Sequence, residues 1–296
     1  MYRNIIITLL MCLATMVCRA QESDFSKESY SRSGITLPYR KAVVNGDGGE
    51  GNMLVIYLHG GSSKGDDNEK QIQEAAVSTI YSYLKEKGKD AVMVVPQCPS
   101  DKSWIGTMLG VLRYFIASCA DNYGVDNSRI FIMGGSMGGT GTWNMIANYP
   151  GMFAAAMPVA GNPKGLDAQK AAQTPVYTVM GTADRIMSIP TVQSFLQEME
   201  TFGAEYRFDT EEGWTHEDTC EKSYTDERLD WLFAHTRESS TAITAASGNE
   251  PQTVAVNWFT TDGKRLAHEP GNNGFYIKMT VFDDGSCLSE KYCKRQ

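Results

Sequence analysis

Strand and helix texture alternate strictly through most of this chain, which predicts an α/β fold on a mostly parallel, doubly wound sheet. Three observations carry that reading. Short apolar, β-branched runs recur six times, at "MLVIYL" (53–58), "AVMVV" (91–95), "RIFIM" (129–133), "AAAMPVA" (154–160), "PVYTVM" (175–180) and "EYRFDT" (205–210). Longer stretches with helical spacing separate them. Most of the runs are continuously apolar, as strands covered on both faces read.

Taken in order, each element has its own signals. After 53–58 comes "NEKQIQEAAVSTIYSYLKEKG", a helical pattern closed by Gly88; after 91–95, "WIGTMLGVLRYFIASCADNYG" closes at Gly124. Glycine just past the last turn is a common helix stop. The run 129–133 leads into "GTGTWNMIANYP", which stops at Pro150, where a helix cannot continue. "IPTVQSFLQEMETFG" places proline at a helix start and Gly203 at its end, and "KSYTDERLDWLFAHT" (222–236) completes the series. Strands alternating with helices join by parallel crossovers. Ligands in such sheets bind beyond the carboxyl ends of the strands, so the residues that follow each strand are the ones to interrogate.

Both ends depart from this texture. Arg3, the apolar run 5–17 and the small residues before Gln21 predict a secretory signal over 1–20; thirteen apolar residues are too few to span a bilayer. No later stretch is long enough to span one either, and the expected location is secreted or periplasmic, with attachment at the cell surface compatible. Cleavage after Ala20 removes two arginines and no acid, so a formal charge of −8 becomes −10, with 25 basic residues against 35 acidic. An acidic surface argues against nucleic acid and anionic membrane as partners. The cut leaves Cys98, Cys119, Cys220, Cys287 and Cys293, an odd number, of which Cys287 and Cys293 are near enough in sequence to be candidates for a pair. The catalytic unit is expected over 21–238. The small polar stretch 239–252 reads as a linker, and 253–296 as a short β-rich unit with turns near Asp262-Gly263 and Asn273-Gly274.

Chemistry concentrates at "IFIMGGSMGGTGTW" (130–143). Gly135 apart, the local pattern is G-x-S-x-G with Ser136 at its centre, between a strand and a helix. Glycines are needed there because the serine sits on a sharp turn that side chains at neighbouring positions would obstruct. A serine hydroxyl needs a base within hydrogen-bond reach. Of four histidines, His59 follows the first core strand in "LHGG", His235 ends a helix, and His268 lies in the C-terminal unit; His216, in "EEGWTHEDT" after the last strand, is the candidate base. The candidate for orienting it is Asp184 in "VMGTADRIMSIP", with Asp209 and Asp218 as rivals. An oxyanion hole needs two N–H donors, for which Met137 and Gly61 are placed. Neither H-E-x-x-H nor C-x-x-C occurs, so no metal site and no cofactor are expected.

These blocks, together with "YLHGGSSKGDDNEKQ", "VVPQCPSDKSW" and "DWLF", resemble the α/β-hydrolase group known as predicted peptidases. That group lies near the feruloyl and acetyl xylan esterases of carbohydrate esterase family 1 and the polyhydroxybutyrate depolymerase-like esterases. The resemblance covers about residues 30 to 237. It implies an α/β-hydrolase fold, a Ser136, Asp184, His216 triad, and an oxyanion hole at Gly61 and Met137. Two positions depart from the group's habit: Met180 stands before Gly181 where histidine is frequent, and Thr215 before His216 where glycine is frequent. The tail is similar to C-terminal sorting-type modules of secreted Bacteroidetes proteins.

Only "NPKGLDAQKAAQTP" separates the strand after the serine from the strand bearing Asp184, which leaves no room for a large lid. An open site suits an ester on a bulky carrier, such as an acetyl or feruloyl group on plant polysaccharide. Trp104 and Trp214, both after strands, are candidates to stack on sugar or phenolic rings. A peptidase using the same triad, and a carbohydrate-binding protein that has lost activity, are the alternatives to an ester-cleaving enzyme.

Overall fold

Period-two alternation within the apolar runs sorts their side chains to two faces of one sheet, and each face has its own core. In a computed structural model, which describes residues 24–32, 34–46, 51–237, 253–282 and 287–294, the strands are β1 (Ser26–Arg32), β2 (Ile35–Val44), β3 (Asn52–Leu58), β4 (Ala91–Pro96), β5 (Val125–Gly135), β6 (Ala155–Val159), β7 (Val176–Gly181) and β8 (Tyr206–Glu211). Their order is β1-β2-β4-β3-β5-β6-β7-β8, parallel from β4 to β8. Leu54, Ile56 and Leu58 of β3 and Ile130 and Ile132 of β5 point into one core; Met53, Val55, Tyr57, Phe131 and Met133 point into the other.

Helices cover both faces. On the first lie α2 (Thr107–Asn122), α3 (Met137–Asn148) and α5 (Ile189–Glu200), contributing Phe115, Trp143 and Phe195. On the second lie α1 (Ala75–Glu86) and a later helix, α7 (Asp226–Phe233), contributing Ile80, Leu84, Leu229 and Phe233. This is the doubly wound, mostly parallel architecture that the alternation predicts, and it agrees with the α/β-hydrolase fold that the resemblance implies. The β6–β7 connection carries only a one-turn helix, α4 (Ala168–Ala171), and no lid.

Three features depart from the sequence reading. The antiparallel strands β1 and β2 precede the first apolar run, with β2 pairing antiparallel to β4. β1 carries "SKESYSR" with alternating half-exposure, so it gives no apolar signal. Arg40, buried within β2, fixes this edge by donating to the carbonyls of Phe25 and Asn68 at 2.8 and 2.7 Å and to Glu69 at 2.8 Å. Second, a helix absent from the sequence reading, α6 (His216–Lys222), starts on the histidine expected in a loop and ends where the last helical stretch, which holds α7, begins. Third, Cys287 and Cys293 lie on one extended strand, six residues and about 20 Å apart, beyond the reach of a disulfide. Cys98, Cys119, Cys220 and Cys293 are free thiols.

The chain divides into two compact units, 1–243 and 244–296. The second is a four-stranded antiparallel sheet of β9 (Thr253–Thr260), β10 (Arg265–Leu266), β11 (Gly274–Phe282) and β12 (Cys287–Lys294), in the order β10-β9-β11-β12. Gly263, at φ 87°, makes the β9–β10 turn, whereas Gly274 begins β11 instead of turning a hairpin. Trp258 packs edge-on against Tyr292 with centroids 4.8 Å apart. The expected signal, 1–20, and linker, 239–252, lie outside the described residues. Among the described residues no helix is long and apolar enough to cross a membrane.

Candidate active site

Turns beyond the carboxyl ends of β3, β5, β7 and β8 supply Gly61, Ser136, Asp184 and His216, and Gly61, Ser136 and His216 line one cleft. Between β5 and α3 the chain turns through Ser136 at φ 57°, ψ −115°, a left-handed conformation that is strained for a residue with a Cβ. The turn is possible because α3 packs directly on β3: a Cβ at Gly138 would lie 1.7 Å from the Leu58 carbonyl oxygen, and one at Gly134 2.6 Å from the same atom. Ser136 is thereby raised above the sheet edge.

His216 meets it from α6. Thr215 caps this helix: its hydroxyl accepts from the Asp218 N–H, and the Asp218 carboxylate accepts from the Thr215 N–H at 3.1 Å. This reciprocal capping box fixes the first turn, and hence the imidazole on it. It explains the threonine in place of the frequent glycine and occupies Asp218 structurally. The signal was legible as T-x-x-D. Asp209, the other rival, instead accepts from Tyr177 and Arg228.

Asp184, in the turn after β7, has a fully buried side chain. Its Oδ1 accepts the backbone N–H groups of Ile186 and Met187 at 2.7 and 2.9 Å, and its Oδ2 lies 2.8 Å from His216 Nδ1. His216, 8% exposed, places Nε2 2.8 Å from Ser136 Oγ. With the carboxylate accepting on both oxygens, Nδ1–H is the donor to Asp184, and Nε2 is left to accept the Ser136 hydroxyl. Such a chain makes the serine a nucleophile when its proton passes to the imidazole.

Gly61 opens a 3-10 turn, Gly61–Ser63, after β3, and Met137 opens α3. Both are first-turn positions, whose N–H groups helix geometry leaves without an internal acceptor. They line, or directly follow, the cleft of about 600 Å³ that holds Gly60, Gly61, Ser136 and His216. Beneath the glycine turn, His59 is fully buried: its Nε2 accepts the Cys98 N–H at 2.9 Å, so its Nδ1–H donates to the Gly60 carbonyl at 2.6 Å. Burial lowers its pKa to about 4 and keeps it neutral.

The two tryptophans belong elsewhere. Trp104 is 0% exposed, its Nε1 donates to the His59 carbonyl at 3.0 Å, and its ring meets His59 edge-on, so it is core beneath the turn rather than a surface for sugar. Trp214 is half-buried and lines a separate cleft along β8 with Asp209, Glu211 and Arg228. Conversely, sequence reasoning missed Glu74 and Cys220, which line the cleft beside Ser136 and sit in no motif. Burial pushes the Cys220 thiol up to about 12, so it is no nucleophile at neutral pH. Among the described residues, no group of three or more His, Cys, Asp or Glu side chains is placed to hold a metal ion.

Fold and site together define an α/β hydrolase. A model of the dienelactone hydrolase family matches residues 62–230, and the chain belongs to that family. Among solved structures it is similar to a thermostable esterase at 26% identity and a TM-score of 0.66, covering 73% of this chain and 64% of that one. It therefore spans less than two thirds of that esterase's length. It is also similar to a feruloyl esterase module from Clostridium thermocellum complexed with sinapinate, at 16% identity and TM-score 0.57, covering 74% of this chain and 90% of the module. Thermogutta terrifontis esterase 2, phosphorylated by paraoxon, matches at 15% and 0.53, over 71% and 93% of the two chains. The last two likenesses concern the fold. No curated protein matches the chain significantly.

Proposed function

We propose that this protein is an exported serine esterase that cleaves neutral carboxylic esters through an acyl-enzyme. The observation that carries the reading is the unbroken hydrogen-bond chain Asp184–His216–Ser136, ending on the strained turn beside Gly61 and Met137. Ser136 Oγ attacks the ester carbonyl while His216 Nε2 takes its proton. Asp184 stabilises the resulting imidazolium, and the N–H groups of Met137 and Gly61 receive the oxyanion. Collapse expels the alcohol, which collects the proton from Nε2. Water then repeats the sequence on the acyl-enzyme and frees the acid and Ser136.

The surroundings narrow the substrate. Glu74, Glu217 and Glu221 line the cleft against one lysine, Lys70, so an ester bearing its own carboxylate is disfavoured there. The absence of a lid over the β6–β7 connection suits a bulky alcohol, and the reading extends to acetyl or feruloyl groups on plant polysaccharide. Arg3 and the apolar run 5–17 support export, with the mature chain starting at Gln21. A panel of acetylated xylan, methyl ferulate, short 4-nitrophenyl esters and peptides tests the proposal. Ester turnover that vanishes in Ser136→Ala is expected. Equal turnover in that variant, or faster cleavage of peptides than of esters, would overturn it.

A further inference from the structure

Glu74 lies at the N-terminal edge of α1 and reaches under the turn that carries Gly61. Its Oε1 accepts the Gly60 N–H at 2.8 Å and the Ser63 hydroxyl at 2.6 Å, while its Oε2 accepts the Tyr57 hydroxyl at 2.8 Å. Gly60 and Ser63 bracket Gly61, and the turn closes on itself by a bond from Ser63 N–H to the Gly60 carbonyl at 3.3 Å. Tyr57 belongs to β3, just before the turn, and is 1% exposed. One carboxyl group therefore ties both flanks of Gly61 to the strand below.

Gly60 lies beside Ser136: a Cβ there would sit in ordinary contact, 3.8 Å from Ser136 Cβ and 3.5 Å from Glu74 Oε1. A shift of the turn moves the Gly61 N–H relative to the serine. Among the described residues no cation pairs with Glu74; Lys70, in the same cleft, pairs with Asp67 at 3.0 Å. An unpaired carboxylate in a mostly buried position is costly unless its hydrogen bonds are needed. Burial raises the carboxyl pKa, while the hydrogen bonds from Ser63, Tyr57 and Gly60 oppose that shift.

We propose that Glu74 is a positioning residue for the oxyanion hole, gripping Gly60 and Ser63 so that the Gly61 N–H points at the carbonyl oxygen of the tetrahedral intermediate. The inference rests on the esterase reading of the same cleft. A hole that is loosened rather than deleted loses transition-state binding, while substrate binding is little changed. Glu74→Ala is expected to lower kcat on 4-nitrophenyl acetate about 10- to 100-fold, below the cost of losing a donor outright, with KM moving less than about threefold.

Affinity for a trifluoromethyl ketone, which forms a tetrahedral adduct, falls in parallel with kcat. In Glu74→Gln the amide oxygen still accepts from Gly60 and Ser63, so most of the activity is restored, to within about fivefold of the parent. Ser63→Ala, which removes one grip, gives an intermediate loss and serves if Glu74→Ala does not fold. Amide hydrogen exchange over residues 58–64 is expected to speed up in Glu74→Ala and not in Glu74→Gln. Unchanged exchange there overturns the proposal even if the parent protein hydrolyses no ester, the result that would instead sink the esterase reading. Unchanged kcat in folded Glu74→Ala, or a Glu74→Gln variant as impaired as the alanine, also overturns it.

Discussion

Asp184 does two jobs with two oxygens: Oδ1 accepts from the Ile186 and Met187 N–H groups, and Oδ2 accepts a hydrogen bond from His216 Nδ1–H. Asp184→Asn keeps the first and reverses the second, since an amide N–H aimed at Nδ1 favours the tautomer whose Nε2 cannot accept from serine. We expect kcat to fall by about 10³–10⁴ with little change in fold, measured by steady-state kinetics and circular dichroism. The acids around the cleft are expected to act on selectivity instead. Glu217 and Glu221 are exposed, so their field is screened by salt. The double variant Glu217→Gln, Glu221→Gln should improve kcat/KM for an anionic ester such as a 4-nitrophenyl succinate by about two- to fivefold at low ionic strength, leaving the acetate unchanged. Loss of that gain at high salt checks its electrostatic origin.

At the scale of elements, the sharp β5–α3 turn and the glycine turn after β3 make the site, and both rest on close packing. Gly138→Ala would drive a Cβ into the Leu58 carbonyl and should cost about 3 kcal/mol in urea unfolding. His59 supports the second turn and links it to pH. Folded, its pKa is lowered to about 4 by burial; unfolded, it titrates near 6.5. As pH falls below 6.5 the unfolded chain takes up a proton that the native state refuses. This contribution is therefore complete above 6.5 and is lost on the way down to pH 4, roughly 3 kcal/mol in all. Unfolding free energies at pH 7.5 and 4.5 should differ less in His59→Gln than in the parent, by slightly less than that amount, since the loss is not yet complete at pH 4.5.

The same elements explain what the sequence makes legible. Strands β3 to β7 were readable because both their faces are buried, so the runs are apolar without a break. The serine turn was readable because only glycines fit around it. Strand β1 was not, because a half-exposed edge reads as polar chain, nor was β2, where Thr36, Pro38, Arg40 and Lys41 interrupt the apolar residues. Trp104 looked like a rim residue because it follows a strand end; only the fold shows that the segment doubles back to hand its indole N–H to His59. Glu74 carries no sequence mark because its partners are backbone and hydroxyl groups gathered by the fold.

For the molecule as a whole, every residue assigned a role in the site lies between 57 and 221, inside the first compact unit. A chain ending at residue 243 should keep its thermal transition and its kcat on small esters within about twofold, as independent units do. Its behaviour on insoluble polysaccharide then reports separately what the C-terminal sheet adds.

Ser136, activated through His216 by Asp184, is the proposed nucleophile. Reaction of the intact protein with a fluorophosphonate, followed by peptide mapping, tests it most directly. One adduct on Ser136, absent in Ser136→Ala and greatly slowed in His216→Ala, is the predicted result. An unlabelled protein that still hydrolyses esters, or an adduct on another residue that abolishes activity, would contradict it.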